Sequence, residues 1–86
     1  MKACILYRPD SEFARMVEEY VHDFKRTRGR DIELVDLNTR EGASTATLYD
    51  IMQFPCVMVM RDDGQVIKDW QGDHLPLMSE LAGYLA

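Results

Sequence analysis

Two cysteines and two histidines are the side chains of this chain that could serve as nucleophiles, proton carriers or metal ligands. Cys4, His22, Cys56 and His74 are widely spaced, whereas the ligands of a zinc site usually come in closely spaced pairs. We therefore expect no metal site and no cofactor. Cys56 directly follows Pro55 and is the one thiol that could act in single-thiol redox or sensing chemistry. A free cysteine in an apolar strand also packs as a small hydrophobic residue.

Ser11 is the remaining candidate nucleophile, because it stands just before an amphipathic segment with helical periodicity. A serine hydroxyl becomes nucleophilic only beside a general base, and no such base is evident in the sequence around it. Asp10 and Ser11 are instead residues of the type that caps a helix N-terminus. We expect one of them to cap the helix that follows.

The length and net charge of the chain limit the number of domains and the kinds of partner that we expect. The 86 residues carry a formal charge of −5 and are 47% hydrophobic, so we expect residues 1–86 to form a single domain. An acidic chain is a poor ligand for nucleic acid, since phosphate binding needs a basic face. The N-terminal residues resemble a strand more than a signal peptide, and no apolar run is long enough to span a bilayer. We expect a cytoplasmic protein with free thiols, bound neither to nucleic acid nor to a membrane.

The elements that would position these residues alternate in type. Apolar residues at helical spacing from Phe13 to Phe24, with charges opposite, predict a helix that ends near Gly29. Short apolar runs predict strands, and the turn around Gly64 predicts a hairpin. The predicted strands are 3–7, 32–37, 56–60 and 66–70, and the later helices are 45–53 and 75–85. The order β-α-β-α-β-β-α gives an α/β class with a four-stranded mixed sheet and helices on both faces.

The C-terminal half resembles thioredoxins and glutaredoxins. Ala46, Tyr49, Ile51 and Phe54-Pro55 are similar to the pattern A-x-x-Y-x-I-x-x-I-P of that family, and Gly64 and Gly72 match its two glycines around the last strand. The resemblance implies a thioredoxin-like fold with a cis peptide bond before Pro55. It also implies a binding groove, formed by three segments that contain Pro9, Asp10, Ser11, Phe54, Pro55, Gly72 and Asp73.

The N-terminal half departs from the family where its chemistry should lie. The family carries a C-x-x-C motif after the first strand, and the corresponding positions here are Ser11 and Ala14. Thiol–disulfide exchange needs a low-pKa thiolate and a second thiol that resolves the mixed disulfide. Since no cysteine lies between Cys4 and Cys56, we expect no dithiol oxidoreductase activity and, on balance, no enzyme.

Three functional hypotheses follow. The first is a module that binds a protein or peptide in the groove without redox chemistry. The second is an enzyme-like protein that acts through the single thiol of Cys56. The third is a subunit that forms homodimers through the edge strand carrying Trp70, because exposed strand edges can pair with one another. The expected state is a monomer or a weak homodimer.

Overall fold

A computed structural model describes all 86 residues, and its element order is the one expected from the sequence. The four strands form one mixed sheet in the order β2-β1-β3-β4. β1 pairs parallel with β2 and antiparallel with β3, and β3 pairs antiparallel with β4. The elements are β1 (Lys2–Tyr7), α1 (Ala14–Arg28), β2 (Glu33–Asp36), α2 (Arg40–Leu48), β3 (Cys56–Met60), β4 (Val66–Gln71) and α3 (Met78–Leu85).

The two central strands are buried on both faces, which explains their continuous apolar sequences. Alternate residues of β1 and β3 point to opposite sides of the sheet. On one side they pack with α1 and α3 around Val17, Phe24 and Leu81. On the other side they pack with α2 and the segment after it, around Ala46 and Ile51. Helices therefore cover both faces of the sheet, as the sequence predicts.

Helix α1 forms where the periodicity places it, but neither predicted cap is used. Phe13 is the N-cap residue and makes no side-chain capping bond. The Ser11 hydroxyl donates to the Arg8 carbonyl at 2.7 Å, and Asp10 accepts a bond from Asn38. Both side chains thus stabilise the loop before the helix, and the capping prediction is wrong. Gly29 ends the helix with a left-handed conformation, φ 69°, as expected.

The second helix lies earlier in the chain than the predicted range 45–53. It begins after Thr39, whose hydroxyl accepts a bond from the Gly42 amide at 3.0 Å, and such a bond stabilises a helix N-terminus. Its buried side consists of the small residues Gly42 and Ala46. Leu48 and Met52, large apolar residues within the predicted range, are 75% and 77% exposed. The pattern of large apolar residues therefore predicts the wrong position for this helix, because small residues pack against the sheet here.

Helix α3 begins at Met78, three residues after the start of the predicted range 75–85, and the buried Pro76 precedes the helix. A register shift at Val59/Met60 pairs Met60 with Val66, and this irregularity places Val66 on the opposite face from Trp70. None of the three helices combines the length and apolar character needed to cross a membrane.

Candidate peptide-binding site

The candidate site lies at the end of the sheet where β1 ends and β3 begins. The antiparallel register pairs Leu6 with Cys56. The loop that follows Tyr7 and the loop that precedes Cys56 must therefore be neighbours. This register brings Ser11 and Phe54-Pro55, which are far apart in sequence, to the same edge of the molecule.

The loop after β1 is held by hydrogen bonds of its own polar residues. The Ser11 amide and hydroxyl both donate to the Arg8 carbonyl, at 3.0 and 2.7 Å. The Asn38 side-chain amide donates to the Asp10 carboxylate at 3.1 Å. This bond is the main reason that the pKa of Asp10 lies below its ordinary value. The loop is thereby fixed both to itself and to the β2–α2 connection.

The loop before β3 is held by the end of β4. The Gln71 side-chain carbonyl accepts bonds from the Met52 and Gln53 amides, at 3.1 and 3.2 Å. The Gly72 amide donates to the Pro55 carbonyl at 3.0 Å. The peptide bond between Phe54 and Pro55 is cis, and Gly72 has a positive φ of 102°, which favours glycine. The hydrogen bond from the Gly72 amide thus fixes the main chain at Pro55.

Two clefts open on either side of Phe54, and Arg8 and Phe54 line both. The smaller one, which we call the aromatic cleft, measures about 220 Å³. The larger one, which we call the α2 cleft, measures about 340 Å³, and most of its lining residues are hydrophobic. The aromatic cleft is lined by Tyr7, Arg8, Ser11, Phe13, Phe54 and Pro55. The α2 cleft is lined by Arg8, Leu37, Ala43, Ala46, Thr47, Asp50, Ile51, Met52 and Phe54.

Three of the seven expected groove residues meet in the aromatic cleft, namely Ser11, Phe54 and Pro55. The other four lie outside it. Pro9 and Asp10 belong to the adjoining loop, and Gly72 contacts Pro55 through its amide. The Asp73 carboxylate lies 3.6 Å from the His74 imidazole. Tyr7, Arg8 and Phe13 line the cleft but are absent from the sequence-based prediction. Nothing in the sequence marks them except that they lie within four residues of Ser11.

Neither cysteine is placed for thiol chemistry. Both are free, and Cys56 is fully buried. Burial raises the pKa of Cys56 to about 12 and that of Cys4 to about 11, with smaller contributions from nearby acidic residues. The Cys56 sulfur is 3.9 Å from the Val57 carbonyl. A thiol that is buried and protonated at neutral pH is a poor nucleophile.

Neither of the two positions aligned with the redox cysteines of thioredoxins and glutaredoxins carries a thiol. Ala14 is 8% exposed and belongs to the hydrophobic core. The Ser11 hydroxyl is engaged as a donor to a backbone carbonyl, with no base beside it to remove its proton. No group of three or more acidic, histidine or cysteine side chains is arranged to hold a metal ion.

Comparison with solved structures identifies the fold. The chain is similar to thioredoxin 1 from the thermophilic eubacterium Thermosipho africanus TCF52B, with a TM-score of 0.69 and 16% sequence identity over 99% of this chain and 90% of that one. No protein-family model matches the sequence, and no curated protein matches it. The protein is thus an α/β domain with the thioredoxin-like fold, as the sequence pattern predicts.

Proposed function

We propose that this protein is a binding module that holds an extended peptide segment of another protein against Phe54, without dithiol redox chemistry. The observation that carries the proposal is the main chain of Phe54. Its N–H and C=O make no hydrogen bond within the chain, although the residues on both sides of it do. Backbone groups of this kind pair readily with an extended peptide.

The surroundings of Phe54 support this role. Gln71 and Gly72 fix the main chain immediately before and after Phe54, so its free groups are held in place before a ligand arrives. A preorganised site avoids part of the ordering cost of binding. The two clefts on either side of Phe54 could accept side chains of the bound segment.

The alternatives receive less support from the structure. A role for Cys56 as a reactive thiol would need exposure and a lowered pKa, and Cys56 is buried with its pKa raised to about 12. Dimerisation through β4 would need an edge that favours pairing. β4 carries the charged residues Lys68 and Asp69, and charges on an edge strand discourage pairing. Trp70 packs against the core and contacts Tyr84 edge-to-face at 5.7 Å.

The proposal is tested by selection from a library of nonapeptides that are acetylated at the N-terminus and amidated at the C-terminus. We expect enriched peptides to bind the purified protein with dissociation constants in the micromolar range, and Ser11→Trp to abolish binding by filling the aromatic cleft. The matched control is Ser79→Trp, at an exposed position of α3. Equal binding by the two variants, or no enrichment at all, would refute the proposal.

A further inference from the structure

The charge distribution around Phe54 restricts which peptide this site can accept. The aromatic cleft is lined by six residues, and Arg8 is the only charged one among them. Arg8 is exposed and makes no salt bridge with any of the neighbouring carboxylates of Asp10, Glu12 and Asp50. In a chain whose formal charge is −5, this cleft therefore presents an unpaired positive charge.

Two nearby carboxylates already accept hydrogen bonds from other residues. Asp10 accepts a bond from Asn38, and Glu18 accepts a bond from the Tyr7 hydroxyl at 3.2 Å. The first turn of α1 contains no acidic residue. Asp10 is close enough for the charge of Arg8 to contribute to its lowered pKa, but no carboxylate forms a salt bridge with the Arg8 guanidinium.

The α2 cleft differs from the aromatic cleft in its charge balance. Six of its nine lining residues are hydrophobic, and its two charged lining residues, Arg8 and Asp50, offset each other. A carboxylate placed there would be attracted by Arg8 but repelled by Asp50, and it would lose hydration against the hydrophobic lining residues. Met52, which is 77% exposed, leaves an apolar surface at the rim that a ligand side chain would cover. This cleft therefore suits an apolar side chain.

The two clefts lie on opposite sides of the sheet. The aromatic cleft is formed by Tyr7 and the loop before α1, on the side covered by α1 and α3. The α2 cleft is formed by Ala46 and Ile51, on the side covered by α2. Consecutive side chains of an extended peptide point to opposite faces. A peptide paired with Phe54 would thus place two adjacent side chains in the two clefts.

Building on the proposed function, we infer that the bound segment carries a large apolar residue directly adjacent to an acidic residue. The apolar side chain occupies the α2 cleft, and the carboxylate binds the Arg8 guanidinium in the aromatic cleft. The carboxylate belongs to an internal Asp or Glu side chain, because an extended segment continues past Phe54 in both directions. Arg8 is then the residue that determines specificity.

The test measures the affinity of the protein for the enriched nonapeptides, whose two ends are blocked by acetylation and amidation, and for variants of these peptides with single substitutions. Replacing Asp or Glu by Asn or Gln should weaken binding about five-fold, since one charge-assisted contact at a partly exposed site is lost. Inserting one Gly between the apolar and acidic residues should weaken binding at least as much. In the Arg8→Glu variant the preference should change to peptides with Lys or Arg at the acidic position. The control Arg61→Glu makes the same charge change in the β3–β4 turn and should leave the preference unaltered.

The outcomes separate this inference from the proposed function. Peptides that bind at Phe54 without an acidic residue, or equally well with the two residues separated, would overturn the inference and leave the binding module intact. If peptides with a free C-terminal carboxylate bound tighter than amidated ones and needed no internal acid, the carboxylate would come from a chain end and the inference would fail. Absence of any binding would overturn both.

Discussion

At the scale of single residues, the environment of Cys56 decides what its thiol can do. It directly follows Pro55 at the start of β3, close to the candidate site in sequence. Its side chain nevertheless points into the core between the sheet and α2, among Cys4, Ala46 and Met58. Burial without a cationic neighbour favours the neutral thiol. We therefore expect no reactive role for Cys56, although it lies close to the candidate site.

The raised pKa values of the two thiols predict loss of stability at alkaline pH. Folding holds each thiol protonated above its ordinary pKa of 9.0. The resulting stabilisation is complete below pH 9 and is lost as the pH rises toward about 11 for Cys4 and about 12 for Cys56. Within that window each thiol should lower the free energy of unfolding by about 1.4 kcal/mol per pH unit. Urea unfolding at pH 7, 9 and 10.5 measures this slope.

The variant Cys56→Ala is the control for that slope. It should cost about 1 kcal/mol at pH 7 because it leaves a small cavity, but its stability should fall less steeply above pH 9. Tyr7 and Tyr20, whose pKa values burial also raises, ionise equally in both proteins and cancel in the comparison. Parallel curves for the two proteins would show that the Cys56 thiol titrates normally, and would revive its candidacy as a reactive group.

At the scale of elements, the position of α2 depends on Gly42. A Cβ at this position would overlap the Asp36 carbonyl oxygen at the end of β2. Because the obstacle is backbone, it cannot move aside as a flexible side chain would. The close approach of α2 to β2 therefore needs a residue without a side chain at position 42. Helix α2 in turn positions the loop that leads to Phe54.

Two glycine substitutions in helices test the role of Gly42, because we expect them to change the free energy of unfolding in opposite directions. Gly42→Ala should lower the free energy of unfolding by at least about 2 kcal/mol, because the helix must move away from the sheet. Gly83→Ala, in α3, places its Cβ where no atom lies within 4 Å. It should raise stability by about 0.5–1 kcal/mol through helix propensity alone. Urea unfolding of both variants decides the matter, and a stabilising Gly42→Ala would contradict the packing described.

The same helix shows how far the sequence alone could predict the fold. Helix α1 was predictable because its apolar residues recur with a helical period of 3.6. Strands β1 and β3 were predictable because their apolar residues form short continuous runs, which are typical of buried strands. The position of α2 was not, because Gly42 and Ala46 carry little hydrophobic signal while Leu48 and Met52 carry much. The start of α1 was also missed, since Asp10 and Ser11 bond within the loop in preference to capping. Such choices depend on neighbours that only the tertiary structure brings close.

At the scale of the whole molecule, the antiparallel pairing of β1 with β3 creates the candidate site. Phe54 and Ser11 could be predicted from the sequence because they align with a familiar pattern. Arg8 and Phe13 could not, because their contribution depends on how the loop after β1 turns over the start of β3. The fold thus forms two clefts beside Phe54, where we propose that a peptide binds. Ser11 and Ala14 occupy the positions at which dithiol chemistry would need cysteines.

The proposed function depends on main-chain pairing between Phe54 and an extended peptide. The most direct measurement is hydrogen exchange of the Phe54 amide, followed by NMR with and without the tightest blocked nonapeptide. We expect fast exchange in the free protein, because this amide has no partner in the chain, and exchange slowed at least about ten-fold in the complex. Unchanged exchange at Phe54, with new protection along Val66–Gln71, would contradict the claim and place the binding surface on the edge strand.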